Sequence, residues 1–341
     1  MSLGPDSPAS STKKATSSVI PIGTDVNAPD HTFGSRTLDS QEDVWSHNAW
    51  DHVVPPKEHL DMVHELLQKQ SETRVSDEMA RTYILIDTEQ YHSHAADYWD
   101  SFYSHHDNRF FKDRKWLSLE FPELIAATKA DAHPTTILEV GCGAGNTVFP
   151  LLGVNENPHL RLIACDYAPQ AVQVVKGQPL YQNPPAGTCE AYVWDLSSGS
   201  KDTGDFDPGR LPPGVAPGTV DIVVLIFVLS ALHPNEWKAA AENIQRMLKP
   251  GGLILLRDYG RHDLPQLRFK KNRLLDDNFY VYFFTPEELY TIFDAAPHES
   301  DQIGRFLTRQ MAVDRRLLVN RKERKQMYRV WMQAKFEKAK N

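Results

Sequence analysis

Residues 138–146 read LEVGCGAGN, an apolar run ending at Val140 and then Gly141, Gly143 and Gly145. Glycines at this spacing let a backbone turn sharply and lie directly against a ligand, because a Cβ would hinder both. A dinucleotide fingerprint, G-x-G-x-x-G, needs a third glycine where this chain has Asn146. The turn therefore suits a ligand smaller than a pyrophosphate-linked dinucleotide.

Two acids extend the site. Asp166 closes the apolar stretch LRLIACD, and Asp195 closes EAYVWD. A carboxylate at the first place can accept hydrogen bonds from both hydroxyls of a ribose. A carboxylate at the second can accept from the amino group of adenine, and the next backbone amide, at Leu196, can donate to a ring nitrogen. A nucleoside held in this way, whose third anchor is an amino-acid tail on a glycine turn, is S-adenosylmethionine. Taken singly, each acid is also at home as a helix N-cap or turn residue. The glycines and both acids together point to that ligand.

Such residues need a frame that delivers several strand ends to one edge. From residue 134 onward apolar runs alternate with helical stretches. The runs are TTILEVGCG, LRLIACDYA (160–168), EAYVWDLS (190–197), VDIVVLIFVLSAL (220–232) and GGLILLRDYG (251–260), with helical stretches at 169–177 and 235–248. This alternation predicts an α/β fold with a doubly wound parallel sheet, helices on both faces and the ligand at the carboxyl edge. The fourth run is continuously apolar over residues 222–229, as a strand covered on both faces should be. Residues 36–130 precede this unit. They carry a helical pattern, Leu60, Val63, Leu66 and Leu67, and an aromatic-dense block whose rings would equally serve as plain packing on the sheet. Residues 1–35 are rich in Ser, Thr, Pro, Ala and Gly without periodicity, and disorder is expected there. The chain thus divides into a tail (1–35), an N-terminal helical region (36–130) and a main domain (131–341) ending in a basic segment.

Composition narrows the rest. The chain has 341 residues, 41% of them hydrophobic, and a net charge of -8. No apolar run reaches the roughly 18 residues a membrane helix needs. Cys142, Cys165 and Cys189 form no C-x-x-C pair and no disulfide framework, so a reducing, cytoplasmic setting is expected. The first arginine is Arg36, which fits an Arg-rich mitochondrial address poorly. The pairs His92/His94 and His105/His106 lack a companion Cys or acid cluster at ligand spacing, so no metal site is expected. The overall acidity hides an asymmetry. From Arg305 to the end there are 12 Lys or Arg against three acids, Asp314, Glu323 and Glu337, a balance suited to phosphates.

LEVGCGAGN, ACDYAPQAV, LIFVLSALHP and LKPGGLILLRDYG together resemble the class I S-adenosylmethionine-dependent methyltransferases. SHNAWD, YWDSFY, NRFFKDRKWLSLEFPEL, RFK, NFYV and VDRRLLVNR narrow the resemblance to the tRNA 3-methylcytidine methyltransferases, which modify position 32 of the anticodon loop. The block from FGSRTL to VWSHNAWD is similar to the branch acting on threonine-type tRNAs, with serine and arginine tRNAs as alternatives. The resemblance implies a Rossmann-like, mostly parallel seven-stranded sheet with an N-terminal helical extension. It also implies S-adenosylmethionine as cofactor, tRNA as partner and, for some relatives, help from an aminoacyl-tRNA synthetase or an accessory RNA-binding protein. Carried over residue by residue, Trp99 and Tyr103 would close over the cofactor, while Gly141, Gly143, Asp166, Asp195, Leu196 and Ile226 would line its groove.

The chemistry asks little of a base. N3 of neutral cytosine already carries an in-plane lone pair, so positioning and desolvation should carry most of the rate. The product base is cationic, and Asp258 in RDYG is the candidate to stabilise it, with Ser230 and His233 of LSALHP shaping the pocket. Turn, ion-pair and packing roles are the alternatives for these residues. The target base must leave its stack, which favours a loop nucleotide. Arg109, Lys112, Arg114 and Lys115, and further on Arg315, Arg316, Arg321 and Lys322, are candidates for phosphate contact; a solvated helix face is the plain alternative. In one place the chain departs from the family. Val281 runs straight into Tyr282, where relatives carry a short Arg/Gly/Asp-containing turn. A catalytically impaired RNA-binding relative is therefore one competing reading. A methyltransferase of the same fold acting on a protein or small molecule is another.

Overall fold

In chain order the elements are β1 (Ala49–Asp51), α1 (Lys57–Glu72), α2 (Leu117–Glu120), α3 (Pro122–Ala127), β2 (Thr135–Val140), α4 (Val148–Leu152), β3 (Leu160–Asp166), α5 (Pro169–Lys176), β4 (Thr188–Val193) and β5 (Val220–Ile226). They continue with α6 (Trp237–Met247), β6 (Leu248–Tyr259), α7 (Pro286–Phe293), β7 (Phe306–Asn320) and β8 (Lys325–Lys338), with shorter turns between. This computed structural model describes residues 20–21, 36–72, 114, 116–199, 211–268, 282–296 and 305–340.

The main strands lie in the order β4-β3-β2-β5-β6-β8-β7. Those from β4 to β6 run parallel, and β8 is antiparallel to both its neighbours. This is the mostly parallel, seven-stranded sheet that was expected. Chain order reverses between β2 and β5, which makes their carboxyl ends the switch point where an open α/β sheet binds its ligand. Short pieces extend the far edge: β1 and Ile20–Pro21 pair antiparallel with β7, and Ala295–Ala296 pairs parallel with it.

Alternation along the central strands builds two cores. Leu138 and Val140 of β2, with Val223 and Leu225 of β5, face α6 and α7 through Ala240, Ile244, Leu289 and Phe293. Ile137, Val224 and Ile226 face the other way, toward Phe121, Leu124, Leu151, Leu152 and Val172. Side chains of successive strand residues point to opposite faces, so a strand buried on both sides must be apolar, and β5 is from Ile222 to Ile226. Each fully buried Leu or Phe contributes roughly 1.5–3 kcal/mol relative to an exposed one.

Three expected strands end early, and the reason is local. The runs 160–168, 190–197 and 220–232 stop as strands at Asp166, Val193 and Ile226, because the residues that follow turn to form the binding edge. The basic C-terminal run is a greater departure. It lies in a β-hairpin, not on a solvated helix: β7 and β8 pair from Lys325↔Asn320 onward, and the turn between them contains Arg324 at φ 53°. Leu317 and Val319 of β7 are buried against Trp50, so the apolar half of that strand outweighs its charges.

Candidate active site

The three glycines of the first turn all take left-handed backbone, with φ of 61° at Gly141, 52° at Gly143 and 86° at Gly145. Other residues rarely adopt this region. A Cβ on Gly141 would also come within 2.7 Å of Val228 Cγ2, so the turn after β2 lies directly against the turn after β5. Backbone hydrogen bonds hold the turn in place. Cys142 N donates to Cys165 O at 3.0 Å, and Gly143 N donates to Asp166 Oδ2 at 2.8 Å.

Asp166 therefore has two tasks. Its Oδ1 accepts from Ala168 N at 2.9 Å, shaping the entry to α5. Four lone-pair sites on an ionised carboxylate leave room for hydroxyl donors beyond these two amides. Asp195 sits close by: Asp166 is in register with Val193, and Trp194 N donates to Asp166 O at 2.9 Å. Asp195 Oδ1 accepts from the amide and hydroxyl of Ser197, both at 2.8 Å, and its residue remains partly exposed. Leu196 and Ile226 are buried, and Asn243 Nδ2 fixes the Leu196 carbonyl at 2.8 Å. Asp166, Asp195, Leu196 and the glycine turn thus meet at adjacent strand ends.

The second wall is the turn after β5. Phe227 adopts φ 59°, a left-handed conformation that costs a bulky residue of order 1–3 kcal/mol. Its amide donates to Arg257 O at 2.8 Å, and its ring lies 4.8 Å from that of Tyr259. Asp258 is 1% exposed and points inward, away from solvent. Its Oδ2 accepts from Ser230 N at 3.1 Å and its Oδ1 from Tyr259 N at 2.8 Å. Burial pushes its carboxyl up to about 6, against the pull of hydrogen bonds from Ser230, Tyr259 and Val228. Asp258 is thus placed to position the turn. Ser230, also buried, accepts through its carbonyl from Tyr282 N at 2.8 Å. His233 serves the backbone: its Nδ1 accepts from Asn235 N at 3.2 Å, and Glu236 Oε2 accepts from His233 N at 2.8 Å.

The basic candidates divide. Trp99, Tyr103, Arg109, Lys112, Lys115 and Val281 lie outside the described residues. The expectation that Arg114 meets phosphate gives way to an inward role. Its Nη1 donates to Glu139 Oε1 at 3.0 Å and to Thr147 Oγ1 at 2.6 Å, bracing the glycine turn from below. Arg316 is likewise committed to carboxylates, at 2.9 Å to Glu120 and 3.1 Å to Asp314. Arg315 is mid-strand, and burial lowers its guanidinium pKa. Arg321 and Lys322, at the hairpin tip, are exposed.

Nearby, Arg257 is sandwiched between Trp116 and Trp331, 4.9 and 4.7 Å from the ring centres, and bonds Gln333 and Asp314. This layer joins α2 to the C-terminal hairpin. Phe227, Tyr259 and Glu139 also lie at this edge and were not expected there. The signal for the first two was their place directly after, or at, the carboxyl ends of β5 and β6. Among the described residues, no group of His, Cys, Asp and Glu is placed to hold a metal ion, and no helix is long and apolar enough to cross a membrane.

Comparison with known proteins agrees with this geometry. Residues 138–254 match the family described as a methyltransferase domain. Over 338 residues the chain is 43% identical to the Schizosaccharomyces pombe tRNA N(3)-methylcytidine methyltransferase trm140, covering 97% of this chain and 99% of that protein. The chain belongs to the tRNA N3-cytidine methyltransferase family. It is also 47% identical over 312 residues to the Saccharomyces cerevisiae tRNA(Thr) (cytosine(32)-N(3))-methyltransferase, covering 89% of this chain but 45% of that longer protein. The Danio rerio tRNA N(3)-cytidine methyltransferase METTL2 is 39% identical, with 90% and 89% covered. The cofactor of this methyltransferase is S-adenosylmethionine, and the residues present fit it: a cradle of left-handed backbone that a Cβ at Gly141 would fill, with two carboxylates beyond it.

Proposed function

We propose that this methyltransferase forms N3-methylcytidine at position 32 of the anticodon loop of threonine-type tRNA, with serine and arginine tRNAs as further candidates. The observation that carries this reading is the budding-yeast relative, whose name gives tRNA(Thr) and cytosine 32, at 47% identity across 89% of this chain. When bound, S-adenosylmethionine supplies a sulfonium methyl: the N3 lone pair forms the new N–C bond, the S–C bond breaks, and its electron pair stays on sulfur. The chain contributes placement. Glycine-turn amides and Asp166 hold the amino-acid and ribose ends, Asp195 and the Leu196 amide read the adenine, and the Phe227–Ser230 turn forms the wall the base must meet.

Phosphate contact is assigned to the exposed Arg321 and Lys322 of the hairpin tip. An aminoacyl-tRNA synthetase or another RNA-binding protein would act by presenting the tRNA. The test uses purified protein, labelled methyl donor and threonine tRNA transcripts carrying cytidine or uridine at position 32. Label in the cytidine transcript alone supports the proposal. Donor binding without transfer to any tRNA supports an impaired RNA-binding relative. Label in a protein or small molecule that tRNA does not compete away supports the remaining reading.

A further inference from the structure

Phe227 and Tyr259 form an aromatic pair at the carboxyl edge of the sheet, where Phe227 packs in part against the core beneath it. Both are partly exposed, although each sits at the carboxyl end of an inner strand, where a purely structural ring would be covered. Their centres are 4.8 Å apart with planes at 42°, and Phe283 adds a third ring 5.8 Å from Tyr259. Phe227 reaches this place only by taking left-handed backbone, and backbone strain of that kind clusters where a side chain must be aimed at a ligand. The next residue, Val228, lies against the glycine turn, which the proposed function gives to the cofactor's amino-acid end. Asp258, one residue before Tyr259, turns to the opposite face to hold Ser230, which leaves the Tyr259 ring on the side of Arg257 and Trp116.

We propose that Phe227 and Tyr259 are the platform on which the unstacked cytosine lies during transfer. The proposal rests on the cytidine reaction put forward above. An aromatic face suits both ends of that reaction. A base removed from its stack regains stacking energy on a ring. As N3 takes the methyl, the positive charge that leaves sulfur settles on the base, and the negative face of an aromatic ring attracts it. The platform therefore favours the charge-bearing transition state and product over neutral cytosine, the condition for rate acceleration.

The test compares Phe227→Leu and Tyr259→Leu with the ring-retaining Phe227→Tyr and Tyr259→Phe. Calorimetry with S-adenosylhomocysteine should give the same affinity in all four and in wild type, showing that fold and cofactor groove are intact. Single-turnover transfer to saturating threonine tRNA should fall roughly 10- to 100-fold in the leucine variants and recover in the ring-retaining ones. A second readout isolates charge. Wild type should bind a tRNA already carrying N3-methylcytidine several-fold more tightly than the unmodified transcript, and the leucine variants should lose that preference. Leucine variants that keep wild-type rate and preference overturn the platform, as does a loss of rate that the ring-retaining variants fail to recover. A wild-type protein that methylates no cytidine overturns the reaction and the platform together. A wild type that methylates while Tyr259→Leu matches it overturns the platform alone.

Discussion

Asp258 Oδ2 accepts a hydrogen bond from the backbone amide of Ser230 at 3.1 Å, tying the end of β6 to the turn that leaves β5. The bond is stronger to an ionised acceptor, yet the acceptor is buried, and burial has raised the Asp258 carboxyl to about 6. Above that value the carboxylate holds the turn amides. Below it, protonation turns one of the two oxygens into a donor and weakens its hold on the turn amides. Transfer rate should therefore fall as pH drops through about 6. Asp258→Asn should lose roughly 10- to 100-fold in rate at pH 7.5 and no longer show that step. Rate profiles between pH 5 and 8 check both, and a step that persists in the variant assigns it to another group.

The contact between Gly141 and Val228 can be tested in two parts. Gly141→Ala places a side chain on backbone at φ 61° and brings its Cβ to 2.7 Å from Val228 Cγ2. We expect a loss of about 1–3 kcal/mol in stability and at least tenfold weaker cofactor binding. Val228→Ala removes the clash but not the backbone strain. The double variant should recover part of the stability lost by Gly141→Ala, leaving a coupling of about 0.5–3 kcal/mol in a thermal-denaturation cycle. Strict additivity would show that the two turns do not press on each other.

The inner sheet was legible in the sequence because its signals are local. Five apolar runs at regular spacing, and glycines directly after the first, need no knowledge of distant contacts. The edge hairpin was not legible for the opposite reason. Arg316 is a surface residue by type, and it is drawn largely inward by carboxylates that include Glu120, 196 positions earlier. Arg114 looked like a phosphate ligand until β2 placed Glu139 within 3.0 Å. The backbone of Phe227 was not legible for a third reason, since residue type gives no sign that it will be forced to positive φ. What could be read was the cofactor edge, and what could not was which charges the fold turns inward.

Glu139 offers a pH test of folding. It is 2% exposed, only one of its oxygens is hydrogen-bonded, and burial raises its carboxyl from 4.5 to about 7 despite Arg114. A raised carboxyl favours the protonated folded state. Its contribution is thus complete below pH 4.5 and is lost as pH rises through 7, a change of roughly 3 kcal/mol. Glu139→Gln should flatten that part of the stability curve, and Arg114→Ala should steepen it. Urea midpoints between pH 5 and 8 report both. An unchanged slope in the glutamine variant would mean that another buried acid sets it.

The arginines of the C-terminal hairpin should separate into two classes. Arg316 is 16% exposed and lies within 4 Å of Glu120, Asp314 and Asp51, so Arg316→Ala takes the cation from Asp51 and leaves Glu120 and Asp314 to share Arg257. Removing one partner of such a group costs about 3–5 kcal/mol, enough to lower the melting temperature by many degrees. Arg321 and Lys322 are exposed at the hairpin tip, and their alanine variants should melt with wild type. If they meet tRNA phosphates, each should weaken tRNA binding at low salt and reduce the slope of log K against log salt by about 0.7–0.9. Melting curves and salt titrations on the same preparations make the division plain. A salt slope unchanged in both tip variants removes that tip from the RNA surface, and an Arg316→Ala protein that melts with wild type removes the buried network as the clamp between α2 and the hairpin.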